Sequence, residues 1–262
     1  MSVSGSFGFN GGGRGADVTG QDVKLGVKTA SGLAVTFASV LSGHYLSGGI
    51  AGAGAAFDYG LDDAVLGGRS YADSVTVSMP LMAGVTFSAS TAEPAVSSYG
   101  SGAASGNVQR YNTAVLGYKA GALVADVQYR SYTGQLNNTT TSASQKVRAS
   151  ASYDLGVAKI GAGIDSTTYT AGNVYSESLA GITVPFGNLI LGAQFGAMST
   201  SGYTTNYDQT GSIVGAQYNL SKRTYMTAQY YSYTGSFKAS TAVSTSGSQN
   251  ATGAVFTIYN TF

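Results

Sequence analysis

The stretch Leu123 to Tyr132, LVADVQYRSY, divides by simple alternation into two sets of side chains. Leu123, Ala125, Val127 and Tyr129 fall on one face, and Asp126, Gln128, Arg130 and Tyr132 on the other. A period of two is the period of a β-strand, so this segment is a strand with one oily side and one wet side. The next segment repeats the arrangement, with Val147, Ala149, Ala151, Tyr153 and Leu155 opposed to Lys146, Arg148, Ser150, Ser152 and Asp154. Working outward, Val23, Leu25 and Val27 oppose Asp22, Lys24 and Lys28. Val75, Val77 and Met79 oppose Ser74, Thr76 and Ser78, and Leu189, Leu191, Ala193 and Phe195 oppose Gln194.

A soluble β-sandwich, the structural rival, would pack the apolar face as a core of large aliphatic residues. Here many positions on that face are alanine, and charge persists mid-strand on the other. A lipid-facing exterior around a watery interior accounts for both. Short turns are expected at Ser31-Gly32, near Pro80-Leu81, at Ala120-Gly121, at Gly156, at Pro185-Phe186-Gly187 and at Asn219-Leu220-Ser221. Longer polar links alternate with them, at Asn10 to Gly20, Thr91 to Gly106, Gly134 to Ser144, Ser199 to Thr205 and Ser236 to Asn250. The expectation is an all-β, transmembrane antiparallel β-barrel of about sixteen strands with short periplasmic turns and longer extracellular loops, a single domain over 1–262. Between Ser42 and Ser74, IAGAGAAFDYG and DAVLGGRS alternate poorly.

Composition narrows the alternatives. With 10% charged residues and a net charge of +1, no basic field points to nucleic acid. The absence of cysteine excludes a disulfide scaffold, and no apolar run approaches the ~18 residues of a transmembrane helix. No signal peptide is read after Met1, which suggests a mature form with that methionine added or substituted. Catalytic chemistry finds little support. One histidine, His44, sits in a Gly/Ser-rich stretch and reads as a loop residue, so neither a metal site nor a Ser-His-Asp triad is predicted, and a barrel hydrolase is set aside. Asp62-Asp63 reads as a turn. GSFGFNGGG lacks the helix and lysine of a phosphate loop. No cofactor is expected.

Several segments resemble the general porins of β-proteobacteria, trimeric barrels of the outer membrane. GAQYNLSKRTYMTAQYYSYTG, Gly215 to Gly235, is similar to that family's penultimate hairpin. GRSYADSVTVSMPLMAGVTFSAS, Gly68 to Ser90, and DVKLGVKTASGLAVTFAS, Asp22 to Ser39, resemble two others. The last strand, ATGAVFTIYNTF, is similar to the outer-membrane assembly signal in Phe256, Ile258 and the terminal Phe262, the expected closure of the barrel. The resemblance implies an outer-membrane channel for small hydrophilic solutes, a homotrimer set in outer-membrane lipid and lipopolysaccharide, and delivery by the barrel-assembly machinery. In that family a third extracellular loop folds into the lumen. The corresponding link is placed here between Arg69 and Ser74, too short to cross, which predicts a wide pore.

Candidate pore-lining residues follow from alternation: Lys24, Lys28, Asp126, Arg130, Lys146, Arg148, Lys159 and Asp165, with Asp22 and Asp154. Arg130, Lys146 and Arg148 either form a local basic patch, giving a weak anion preference, or pair with the inward carboxylates. Tyr118, Tyr153 and Tyr218, each near a short turn, are candidates for an aromatic belt at the membrane interface. Tyr129, Tyr132, Tyr230, Tyr231 and Tyr233 lie nearer the long loops and suit an outer belt or the mouth. The alternative function is structural, a barrel that forms a lattice or serves as an envelope anchor or adhesin.

Overall fold

A computed structural model describes residues 2–9, 18–43, 46, 51, 65–66, 69–94, 109–134, 142–203, 206–235 and 249–260. They form one antiparallel sheet of fourteen strands, each bonded to its neighbours in the chain. The strands are β1 (Ser2–Phe9), β2 (Val18–Lys28), β3 (Ala34–Gly43), β4 (Arg69–Met82), β5 (Val85–Pro94), β6 (Arg110–Ala120), β7 (Leu123–Thr133), β8 (Ala143–Asp154), β9 (Lys159–Tyr169), β10 (Val174–Phe186), β11 (Leu189–Ser201), β12 (Asp208–Asn219), β13 (Thr224–Gly235) and β14 (Gln249–Asn260). Fourteen is the count among the described residues, against about sixteen expected. β3 and β4 pair directly from Ala34↔Ser78 to Gly43↔Arg69, so they are neighbours in the sheet.

The turns on one rim are tight. Two residues join β4 to β5, β6 to β7 and β10 to β11, with Gly84, Gly121 and Gly187 at positive φ. A hairpin this short needs left-handed backbone, which glycine adopts without a Cβ penalty. The turn expected near Pro80-Leu81 falls instead at Ala83-Gly84. Pro80 stays in β4, at a register shift between Pro80 and Met82, because a bulge tolerates a residue with no ladder donor. On the opposite rim most links are longer, but β9 and β10 are joined by only 170–173, closed by Tyr169 N–H donating to the Asn173 carbonyl at 2.9 Å.

Alternation carries through the whole sheet. Val127, Ile164, Phe195, Val214, Phe256 and Ile258 share one face and are exposed, Phe195 by 55%. Their neighbours in sequence point to the other face, where Gln194, Thr227, Gln229, Asp165 and Lys146 are buried. A large apolar side chain left bare on one face and polar groups enclosed on the other invert the arrangement of a soluble protein.

Candidate functional site

Register lines up the charges of the inner face. Arg130 on β7 is paired with Lys146 on β8, and one row below, Gln128, Arg148, Asp165 and Glu177 stand side by side on β7, β8, β9 and β10. Lys146 Nζ lies 2.6 Å from Asp165 Oδ1 and 4.0 Å from Glu177 Oε2, and Arg148 Nε donates to Asp165 Oδ2 at 3.1 Å. The Tyr175 hydroxyl donates to Glu177 Oε1 at 2.9 Å. Lys146 and Asp165 are each 1% exposed. Two cations and two carboxylates thus neutralise one another where an isolated charge would be expensive to hold.

Arg130 is held differently. Its Nε donates to Thr113 Oγ1 at 3.2 Å, and its guanidinium lies 4.1 Å over the centre of the Tyr111 ring. Asp126 accepts from the Ser150 hydroxyl. Of the other sequence candidates, Lys24 and Lys28 are exposed on β2, on the face opposite Leu25 and Val27. Lys159 pairs in register with Asp154 beside the turn at Gly156. The structure therefore brings together Lys146, Arg148 and Asp165, with Arg130 next in line, and leaves Lys24, Lys28 and Lys159 apart from them. Glu177 was missed in the sequence because the serines of VYSESLAG hide the alternation, although its spacing from Leu179 and Thr183 carries the signal.

The inner face also bears an apolar patch. Leu179 on β10, Met198 on β11, Ile213 on β12 and Tyr233 on β13 are buried, and against them pack Leu46, Ala51, Val65 and Leu66 of 44–68. A Cβ added at Gly163 would lie 2.8 Å from the Ala51 Cβ and 3.1 Å from Leu46 Cδ2. This overturns the expected short third loop. Arg69 to Ser74 is strand, the link is the twenty-five positions 44–68, and its described residues reach from the β3–β4 edge to the inner face of β9–β13. Each fully buried leucine or valine there contributes roughly 1.5–3 kcal/mol, enough to hold Leu46, Val65 and Leu66 on the inner face. The wide, unobstructed pore is corrected accordingly.

Tyr118, Tyr153 and Tyr218 lie exposed on the outer face next to the tight turns. Tyr129 and Tyr230 are exposed on the outer face as well, whereas Tyr132, Tyr231 and Tyr233 belong to the inner one. Phe256 and Ile258 point outward from β14. Phe262, His44 and Asp62-Asp63 lie outside the described residues. No β1–β14 ladder is found among the described residues. No group of His, Cys, Asp and Glu suited to a metal ion is found among them either.

An antiparallel meander with an oily outer face, a wet inner face and a segment packed inside defines an outer-membrane β-barrel channel. Comparison with known proteins gives the family: residues 2–253 match the Gram-negative porins, and the chain belongs to that family. The fold is similar to that of an anion-selective porin from Comamonas acidovorans, with a TM-score of 0.66 at 16% identity over 92% of this chain and 78% of that one. It is similar also to the trimer form of in-vitro folded OmpT, an outer membrane protein of Vibrio cholerae, with a TM-score of 0.61 at 16% identity over 98% and 85% of the two chains. No match is found among curated proteins. The protein is an outer-membrane channel for the passive diffusion of small hydrophilic solutes.

Proposed function

We propose that the channel prefers anions weakly, and that Lys24 and Lys28, rather than the charges on β8, set the preference. One observation carries this. Lys146 and Arg148 are matched by Asp165 and Glu177, whereas Lys24 and Lys28 are exposed on the inner face with no carboxylate within ion-pair distance among the described residues. A fixed charge open to a narrow aqueous passage biases the local ion population, and a neutralised one does not. Lys159, Asp126 and the neutral cluster then serve as wall, and Arg130 adds a further cation near the long-loop rim. Leu46, Ala51, Val65 and Leu66 narrow the passage against β9–β13, and on the inner face of β3–β6 Thr36, Thr76, Ser90 and Thr113 form one row of hydroxyls that lines the aqueous path.

The remaining assignments complete this reading. The chain is one domain that works without cofactor or catalytic residue. Its last strand, with Phe256, Ile258 and Phe262, closes the barrel and is read by the assembly machinery. Tyr118, Tyr153 and Tyr218 sit in the belt at the periplasmic interface, in contact with outer-membrane lipid, and the lipopolysaccharide leaflet surrounds the other rim. Three copies assemble, as in the trimer form of the Vibrio cholerae protein. The selectivity claim is tested by the reversal potential across a planar bilayer in a potassium chloride gradient. Lys24→Gln with Lys28→Gln lowers the chloride-over-potassium preference, and Arg148→Gln changes it less. The reverse order of effects contradicts the assignment.

A further inference from the structure

Charge is spread unevenly between the two rims of the barrel. The links on the short-turn rim, 29–33, 83–84, 121–122, 155–158, 187–188 and 220–223, all lie within the described residues. In them, or within two residues of them, stand five cations, Lys28, Lys119, Lys159, Lys222 and Arg223, and one carboxylate, Asp154. The whole chain carries a net charge of only +1, so everything beyond this rim is net negative. Asp154 Oδ1 accepts the Gly156 N–H at 2.8 Å, and Asp154 is paired in register with Lys159. Lys28, Lys119 and Lys222 are exposed and have no carboxylate within ion-pair distance among the described residues. Lys28 and Lys119 belong to the inner face, opposite Val27 and Tyr118. The next carboxylate up the wall, Asp126, accepts from the Ser150 hydroxyl.

We propose, on the reading that water fills the path along β3–β6, that this basic rim makes the channel an asymmetric conductor. Small anions pass more readily when they are driven in through the short-turn mouth than when they are driven out of it. Lys28 on β2 and Lys119 on β6 flank that path where it opens. Distance decides between a chelating site and a field. Lys28 and Lys119 stand four strand spacings apart, and Lys119 and Lys159 three, about 19 and 14 Å along the wall. No small anion touches two of them, so they act through their summed potential. At about 0.01 M salt the screening length is about 30 Å and the fields merge across the mouth, whereas at about 1 M it is about 3 Å and each lysine is isolated.

Further up the wall the charges are sparser. Lys146 and Arg148 are matched by Asp165 and Glu177, and Lys24 and Arg130 stand as single cations well away from the rim. A mouth lined with cations admits chloride and repels potassium. When voltage drives chloride in through that mouth, potassium enters from the long-loop side and is held back at the rim. Both ions then accumulate in the lumen, and the current rises. Under the opposite voltage chloride leaves through the rim while potassium cannot enter there, so the lumen is depleted and the current falls.

The test is the current through single channels of the full chain in a planar bilayer, at equal and opposite voltages in symmetric potassium chloride of about 0.01 M and about 1 M. The chain has no cysteine, so Asn188→Cys, in an exposed short link, reports which side a channel presents when an impermeant maleimide polymer is added to one side. At the lower salt the current is expected to be about 1.5–2 times larger with the long-loop side positive, and at the higher salt equal for both signs. Lys119→Gln with Lys222→Gln lowers the ratio, and Lys119→Glu with Lys222→Glu, which offsets the rim's surplus of positive charge, brings it to about one. Lys24→Gln, mid-strand on β2, leaves the ratio in place. Equal currents at low salt, a ratio of the opposite sense, or one that survives high salt or the glutamate pair overturns the basic rim. The reversal potential in a salt gradient reads the selectivity assignment separately. Rectification without net chloride preference supports the basic rim and contradicts the role given to Lys24 and Lys28, and chloride preference without rectification does the reverse. A chain that conducts no ions overturns both.

Discussion

The ammonium of Lys146 lies 2.6 Å from the Asp165 carboxylate, and neither side chain is open to water. Asp165 also takes the Nε–H of Arg148 at 3.1 Å, so this one carboxylate holds two cations on the neighbouring strand. Asp165→Asn therefore leaves buried Lys146 with Glu177 alone at 4.0 Å and Arg148 without its carboxylate, and is expected to destabilise the folded state by about 3–5 kcal/mol, whereas Lys146→Met with Asp165→Leu costs far less. Urea unfolding in lipid vesicles measures both. Similar losses in the single and the double variant would mean that the pair carries little of the stability.

The two faces differ in what they tolerate. Val77, mid-strand on β4, is 37% exposed on the outer face, and Thr76 beside it faces inward. Val77→Arg should cost about 2–4 kcal/mol by placing a guanidinium against lipid, and Thr76→Arg should be mild. The comparison is again equilibrium unfolding in vesicles. Equal costs would show that the outer face of β4 is not in contact with hydrocarbon.

Gly163 is a close approach between the wall and the inner residues, since its missing Cβ leaves room for Ala51 and Leu46. Gly163→Val should push Leu46 and Ala51 off β9 and raise single-channel conductance while the barrel still forms. Heat-modifiable migration on a gel checks the barrel and bilayer recording checks the current. Unchanged conductance in a folded variant would place the narrowest point elsewhere.

The final strand pairs with β13 along its full length, from Thr224↔Asn260 to Gly235↔Gln249. Deleting Val255 to Phe262 bares half of that ladder of backbone donors and acceptors, from Thr224 to Gln229, each unsatisfied group costing several kcal/mol in lipid. Insertion into vesicles should be abolished. Normal insertion of the truncated chain would mean that β14 is dispensable for closure.

Facing, turn chemistry and the wet interior were legible in the sequence because each is a local property. Val127 against Gln128, or Phe195 against Gln194, needs nothing beyond the period of the strand. What local pattern does not report is a partner across the lumen. Leu179, Met198 and Ile213 look like faults in alternation, apolar residues on the wet face, until Leu46, Ala51, Val65 and Leu66 are seen to cover them. The resemblance alone puts the third loop at Arg69 to Ser74, residues whose pairing with β3 makes them strand. The ion-pair partners depended on register: alternation placed Arg148 and Asp165 on the inner face, but only the pairing of β8 with β9 sets them opposite each other.

The central claim is a size-limited aqueous passage through the barrel, and swelling of liposomes loaded with the purified chain tests it most directly. Vesicles should swell rapidly in arabinose and progressively more slowly as the sugar grows from mono- to tetrasaccharide, because the wall is wet and Leu46, Ala51, Val65 and Leu66 occupy part of the lumen. Vesicles that stay impermeable to arabinose would contradict the channel itself, and equal swelling in arabinose and a tetrasaccharide would contradict the constriction.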